Sequence, residues 1–153
     1  MTDAKTTDAA DEPGAPAPLQ DALLEIADAA SSATDLPDFY ARIHRAIGEL
    51  MDARNFYIAL YDGERGAINF PYSVDLIDTF PDPTTWEPFG VGEGGGLTAY
   101  VLRTKRPALV TTTVWEDLIA AGEITRVGAD GEDWLGAPLL WQGEAIGIVA
   151  VQT

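Results

Sequence analysis

The chain has 153 residues, 46% hydrophobic and 9% aromatic, which is one domain's worth of sequence with enough apolar material for a core. Its 25 acidic against 9 basic residues leave a net charge of -16, so neither nucleic acid nor an anionic membrane surface is an expected partner. With no cysteine and a single histidine, the composition excludes disulfides, zinc–thiolate sites, thiol catalysis, thioether-linked chromophores and a His-rich metal site.

Residues 1–18 are mostly Ala, Thr, Asp and Pro, and Pro13, Pro16 and Pro18 interrupt helical pairing, so an acidic, disordered tail is expected there. No apolar run approaches a membrane span and no signal peptide opens the chain; the expected location is the cytoplasm, free or within a larger chain. Leu19 to about Ser31 places Leu19, Leu23, Ile26, Ala27 and Ala30 at helical spacing against Gln20, Asp21, Glu25 and Asp28. A second helix starts at Thr34-Asp35-Leu36-Pro37-Asp38, where Thr34 or Asp35 caps and Pro37 suits the first turn. Its apolar stripe is Leu36, Phe39, Tyr40, Ile43, Ile47, Leu50 and Met51.

Asn55–Tyr61 reads as a strand with Phe56, Ile58 and Leu60 on one face and Tyr57, Ala59 and Tyr61 on the other. Asp62-Gly63-Glu64-Arg65-Gly66 is turn chemistry, and Ala67–Tyr72 returns as a second strand in which Pro71 marks an edge or an end. Residues 73–96, rich in Pro and Gly, form a long loop. Leu97–Arg103 is a short helix, Pro107–Thr111 a short strand, and Val114–Gly122 a helix capped by Thr112 or Thr113. Gly128-Ala129-Asp130-Gly131-Glu132 is a loop. The order of elements is that of an α+β domain with a mainly antiparallel sheet.

Two apolar runs, 133–141 and 144–152, flank Gln142-Gly143, a tight hairpin turn in which Gly supplies positive φ. Leu135, Ala137, Leu139 and Trp141 share one face of the first run, and Ala145, Gly147, Val149 and Val151 one face of the second. Both faces are apolar, so the hairpin is expected at the sheet centre, covered on both sides.

This hairpin, DWLGAPLLWQGEAIGIVAVQT, closely resembles the closing hairpin of GAF domains. NFYIALYD (55–62), INFPYSVD (68–75), GGLTAYVLRTKRPALV (95–110) and AAGEITRVG (120–128) resemble the same family in the same order. The likeness spans residues 19–153. It implies a central sheet with two N-terminal helices on one face and short helices and loops over the other. The family normally continues into a helix where this chain stops at Thr153, so a domain lacking its C-terminal helix is expected.

The subgroup it resembles comprises bacterial sensor modules that precede histidine kinase, diguanylate cyclase or phosphodiesterase outputs. The implied role is not enzymatic: the domain binds a small molecule and relays a signal through a dimer to an output domain in the same or a partner chain. The alternative is a ligand-free module that only dimerises and aligns that output. An Asn-Lys-x-Asp-Glu signature, which marks cyclic-nucleotide binders of the family, is absent. Without cysteine neither a covalently held bilin nor reduction of free methionine sulfoxide is available. The cofactor is therefore unknown, with haem disfavoured because His44 is a lone helical histidine.

Carried onto this chain, the family's pocket draws on Phe70, Tyr72, Phe80, Trp86, Tyr100, Thr111, Thr113, Trp115 and Trp134, an aromatic set suited to a planar ligand. Leu23, Ile26, Ala27 and Ala30 are the expected dimer surface, where the family pairs its terminal helices. The run Gly90-Val91-Gly92-Glu93-Gly94-Gly95-Gly96 lacks a nucleotide fingerprint and Glu93 repels anions, so it reads as a loop or lid opening a helix. Asp130, Glu132 and Asp133 are acids in a Gly-rich loop, and no catalytic or metal-ligating residue is assigned.

Overall fold

The structure, a computed structural model, describes residues 16–127 and 133–153. The expected tail up to residue 15 and the expected loop at 128–132 lie outside the described residues. The described elements are α1 (Ala17–Ser32), α2 (Leu36–Gly48), β1 (Asn55–Asp62), β2 (Ala67–Val74), β3 (Glu87–Pro88), α3 (Leu97–Thr104), β4 (Ala108–Thr111), α4 (Thr112–Ala120), β5 (Asp133–Trp141) and β6 (Glu144–Gln152). The strands form one antiparallel sheet in the order β3-β2-β1-β6-β5-β4. It is an α+β fold.

The helices start where their first turns permit. α1 opens at Ala17, two residues before the expected Leu19, because Pro18 falls in the first turn, where a missing N–H costs nothing. The Asp35 carboxylate accepts from the Asp38 N–H at 2.8 Å and caps α2. The expected stripe overruns this helix: α2 ends at Gly48, and Leu50 and Met51 turn outward on bonds to the Ile47 carbonyl. α4 is capped by Thr111 rather than by Thr112 or Thr113, because the chain leaves β4 directly into the helix.

α2 covers one face of the sheet, packing Phe39, Tyr40, Ile43 and Ile47 on Phe56, Ile58, Tyr72, Val149 and Val151. α1 lies along α2, burying Ala22 and Ala29, whose small side chains allow close approach. Arg42 ties the pair together through Glu25 at 3.0 Å, Ser32 at 2.8 Å and Asp28. The arginine holds the Asp28 carboxyl below its ordinary range, with Ser32 adding a second hydrogen bond. α3, α4 and the segment to Ile124 cover the opposite face, over Tyr57, Ala59, Ile68, Trp134, Ile148 and Ala150.

Two bulges change which face side chains occupy. Between β1 and β2 the register runs from Ile58↔Tyr72 to Leu60↔Asn69, so Phe70 and Pro71 together oppose Ala59. Pro71, with no N–H to give, fits the irregular position. Between β5 and β6 the register runs from Leu139↔Gly147 to Leu140↔Ala145, which makes Ile146 the extra residue. Strict alternation would set Ala145 beside Gly147; the bulge places Ala145 against the α3 side instead. Gln142 and Gly143 both take positive φ, 50° and 79°, as a type I′ hairpin turn requires. The distal end of the hairpin is not covered as expected: Leu140, Trp141 and Ile146 are exposed.

Candidate functional site: an aromatic cavity over the sheet

Between the α3 face of the sheet and the loops above it lies a cavity of about 510 Å³. Its floor comes from the sheet: Tyr57 of β1, Phe70 of β2, Trp134 of β5 and Gln152 of β6. One wall is the 78–81 loop with Phe80, and another is the start of α3 from Gly94 to Thr98. Trp115, Thr125, Val127 and Phe89 complete the lining. This size and this mix of aromatic surface with a few polar groups suit a small organic ligand.

The aromatic part is a contiguous cluster. Tyr57 meets Phe70 and Phe80 at centroid distances of 5.8 and 5.2 Å, and Phe70 meets Phe80 edge-on at 5.2 Å. Trp134 lies flat across Gly136 of its own strand; a Cβ there would sit 2.6 Å from the indole Cζ3 and nearer still to Cη2. Glycine at 136 is what lets the indole lie on the cavity floor.

The Gly run forms the entry to α3 and is held in place from outside. The Gly94 N–H donates to the Glu123 carbonyl at 3.3 Å, and the Thr125 N–H donates to the Gly95 carbonyl at 2.9 Å. The Thr125 hydroxyl donates to the Gly94 carbonyl at 2.5 Å. Gly94 adopts φ 83°, a left-handed conformation that favours glycine. Arg103 braces the same region, donating to Glu123 at 2.6 Å and to the Val91 carbonyl at 3.1 Å.

Tyr57 supplies the cavity's main hydroxyl, 2.7 Å from the Thr98 Oγ1. Burial pushes its phenol up to about 12; hydrogen bonding from Thr98 and Trp134 opposes this, and the Asp75 and Asp78 carboxylates add to it. The linkage has a definite sign. Unfolding returns the phenol to its ordinary value near 10, so the unfolded chain loses its proton first as pH rises. Stability worth about 3 kcal/mol is then present below pH 10 and lost by about pH 12. Tyr57→Phe is expected to flatten the fall of stability across that window in urea titrations. Tyr40 and Tyr72, both raised by burial, leave a residual slope. An unchanged slope would contradict the buried placement.

Of the nine aromatic and hydroxyl residues expected to line a pocket, the structure brings four together: Phe70, Phe80, Trp115 and Trp134. Tyr72 lies on the other face, because the β2 bulge reverses the alternation between it and Phe70. Trp86 stands at the sheet edge beneath the Arg65 guanidinium, 5.4 Å from the ring. Tyr100 stacks with Arg103 at 5.5 Å, Thr111 caps α4, and Thr113 is on the exposed side of α4. Tyr57, Asp78, Thr98, Thr125 and Gln152 also line the cavity without having been expected there. For Tyr57 the signal was present, since alternation along β1 already sets it opposite Phe56.

His44 is engaged at both ring nitrogens. Its Nε2 donates to the Ala53 carbonyl at 2.6 Å and its Nδ1 shares a hydrogen bond with the Tyr72 hydroxyl at 2.9 Å, while the ring stacks on Phe56 at 4.4 Å. Both ring nitrogens of this half-buried side chain are therefore engaged within the protein. Asp130 and Glu132 lie outside the described residues, and Asp133 is exposed at the start of β5. Among the described residues no group of three or more His, Asp or Glu is placed to hold a metal ion. On α1, Leu23, Ala27 and Ala30 are exposed and Ile26 is half-buried.

A six-stranded antiparallel sheet with a helix pair on one face and a cavity beneath short helices on the other defines a small α+β module. The chain belongs to the GAF domain family, whose model matches residues 35–153. Among solved structures it is similar to the GAF domain of a phosphoenolpyruvate-protein phosphotransferase from Acinetobacter. There the TM-score is 0.65 at 17% identity, over 88% of this chain and 76% of that one. The corresponding domain from Coxiella burnetii gives 0.66 at 17%, over 88% and 77%. The free methionine-R-sulfoxide reductase of Neisseria meningitidis, solved with its substrate, gives 0.61 at 17%, over 88% and 72%. At these identities the likeness is one of fold. No curated protein matches the chain. Among the described residues no helix is long and apolar enough to cross a membrane.

Proposed function

We propose that this GAF domain is a non-catalytic sensor that binds a small molecule in the aromatic cavity and relays its occupancy through a homodimer to an output domain. The cavity carries the reading: Tyr57, Phe70, Phe80, Trp115 and Trp134 converge on about 510 Å³ beneath α3. Its walls belong to four strands, two helices and the loops around them, so filling it restrains elements drawn from most of the chain. Exposed Leu23 and Leu24 of α1, 56% and 69% accessible, support pairing with a second copy. The same leucines favour a second reading, a ligand-free module that dimerises to align an output domain.

Thermal shift across a metabolite panel separates the two. A ligand at a hundred times its Kd stabilises by about 2.7 kcal/mol and raises Tm by roughly 5–11 °C. That shift is expected for the native protein and is expected to vanish in Phe80→Ala. No shift for any compound, with no small molecule retained in native mass spectra, would sink the sensor reading and leave the scaffold. Light scattering of the native chain against Leu23→Glu tests pairing, which a concentration-independent monomer for the native chain would refute.

A further inference from the structure

We propose that the cavity takes a ligand whose polar end is a hydrogen-bond acceptor with no proton of its own, such as a carbonyl oxygen, on an aromatic or apolar body. The inference rests on the reading that this cavity binds a ligand, and names the chemistry of that ligand's polar end.

The hydroxyls at the cavity floor carry a proton that the protein does not use. Tyr57 and Thr98 share a single hydrogen bond at 2.7 Å, which takes one of their two hydroxyl protons. The Trp134 side chain also bonds the Tyr57 oxygen, and an indole N–H can only donate. If Tyr57 donates to Thr98, the Thr98 proton is left over; if Thr98 donates, the Tyr57 proton is. Beyond these bonds neither hydroxyl has a partner among the described residues.

Further donors around the same cavity lack acceptors. Trp115 lines it and is 7% exposed, and its buried Nε1 has no hydrogen-bond partner among the described residues. Such a group is costly to leave unpaired. α3 opens on Gly96, which has no side chain to cap it, and the first-turn amides of Leu97 and Thr98 find no acceptor among the described residues. The starts of α2 and α4, by contrast, are closed by Asp35 and Thr111.

The acceptors of this wall are engaged. The Gly94 carbonyl accepts from the Thr125 hydroxyl, the Gly95 carbonyl from the Thr125 N–H, and the Gly96 carbonyl from the Tyr100 N–H. Asp78 and Gln152 line the cavity with contacts of their own, and Arg126, over the Trp115 ring, is likewise partnered. The surplus at the start of α3 is therefore one of hydrogen-bond donors, whatever the net charge. An acceptor placed there gains bonds that these donors do not find within the protein, whereas a donor-only group gives up hydration with little to replace it. The rings of Tyr57, Phe70 and Phe80 hold the ligand's body.

Three isosteric probes decide the matter: acetophenone, which only accepts, protonated 1-phenylethylamine, which only donates, and ethylbenzene, which does neither. Calorimetry and ligand-observed NMR read their binding. On the native protein acetophenone is expected to bind at least about tenfold more tightly than the amine. In Tyr57→Phe/Thr98→Val, which removes both hydroxyls, the ratio of acetophenone to ethylbenzene affinity is expected to fall about fivefold to tenfold, with melting curves confirming the fold. Should that variant fail to fold, the ranking of ketone and amine on the native protein decides. An amine bound as tightly as the ketone, or a folded double variant with an unchanged ratio, overturns the acceptor assignment and leaves a ligand cavity. Failure of all three at millimolar concentration overturns both.

Discussion

Gly136→Ala is expected to lower stability by about 3 kcal/mol and to move Trp134 off the cavity floor, seen as a red-shifted tryptophan emission. The added methyl would stand 2.6 Å from the indole Cζ3 and closer to Cη2, and the obstacle is a rigid ring rather than the end of a flexible chain. The indole is only 3% exposed and packed on its other sides, so the space open to it is the cavity, away from its seat across Gly136. The backbone cannot yield, because Gly136 pairs with Ala108 of β4 on one side and Ala150 of β6 on the other. Urea unfolding with emission spectra measures both consequences. A change below about 1 kcal/mol with native emission would mean that Trp134 does not lie across Gly136.

Phe56→Ala is expected to cost about 3–5 kcal/mol, a large share of the 5–15 kcal/mol typical of a domain. Phe56 is fully buried under α2, stacked on His44 at 4.4 Å and edge-on to Tyr72 at 5.8 Å. Its removal opens a void beneath a histidine whose two hydrogen bonds depend on the ring's position. Because the cavity lies on the opposite face of the sheet, the loss is expected to appear in stability, while ligand affinity of the folded fraction changes little. Urea midpoints and ligand titration at low temperature separate the two effects. A cost under about 1.5 kcal/mol would show that the α2 side is loosely packed.

Much of the fold was legible because it depends on local chemistry. Asp35 with Pro37 marks a helix start, Gln142-Gly143 a tight turn, and alternation along β1 separates Phe56 and Ile58 from Tyr57 and Ala59. These signals act within a few residues and need no partner. The errors fall where a neighbouring strand intervenes. Phe70 and Tyr72 are two apart and by alternation share a face, yet pairing with β1 inserts Pro71 opposite Ala59 and sends Tyr72 to His44. The same reason separates Ala145 from Gly147. For the site, the family resemblance pointed to Phe70, Phe80, Trp115 and Trp134, whereas Thr98, Thr125 and Gln152 carry no local mark.

Family, α+β class, the absence of thiol chemistry and the strongly negative charge all follow from the order of residues, since they are properties of composition or of short ordered motifs. Folding in three dimensions settled which aromatic residues share a cavity, that His44 is spent on Ala53 and Tyr72, and that Asp78 is among the lining residues. Those outcomes depend on register, and one inserted residue in a strand exchanges the two faces of a sheet.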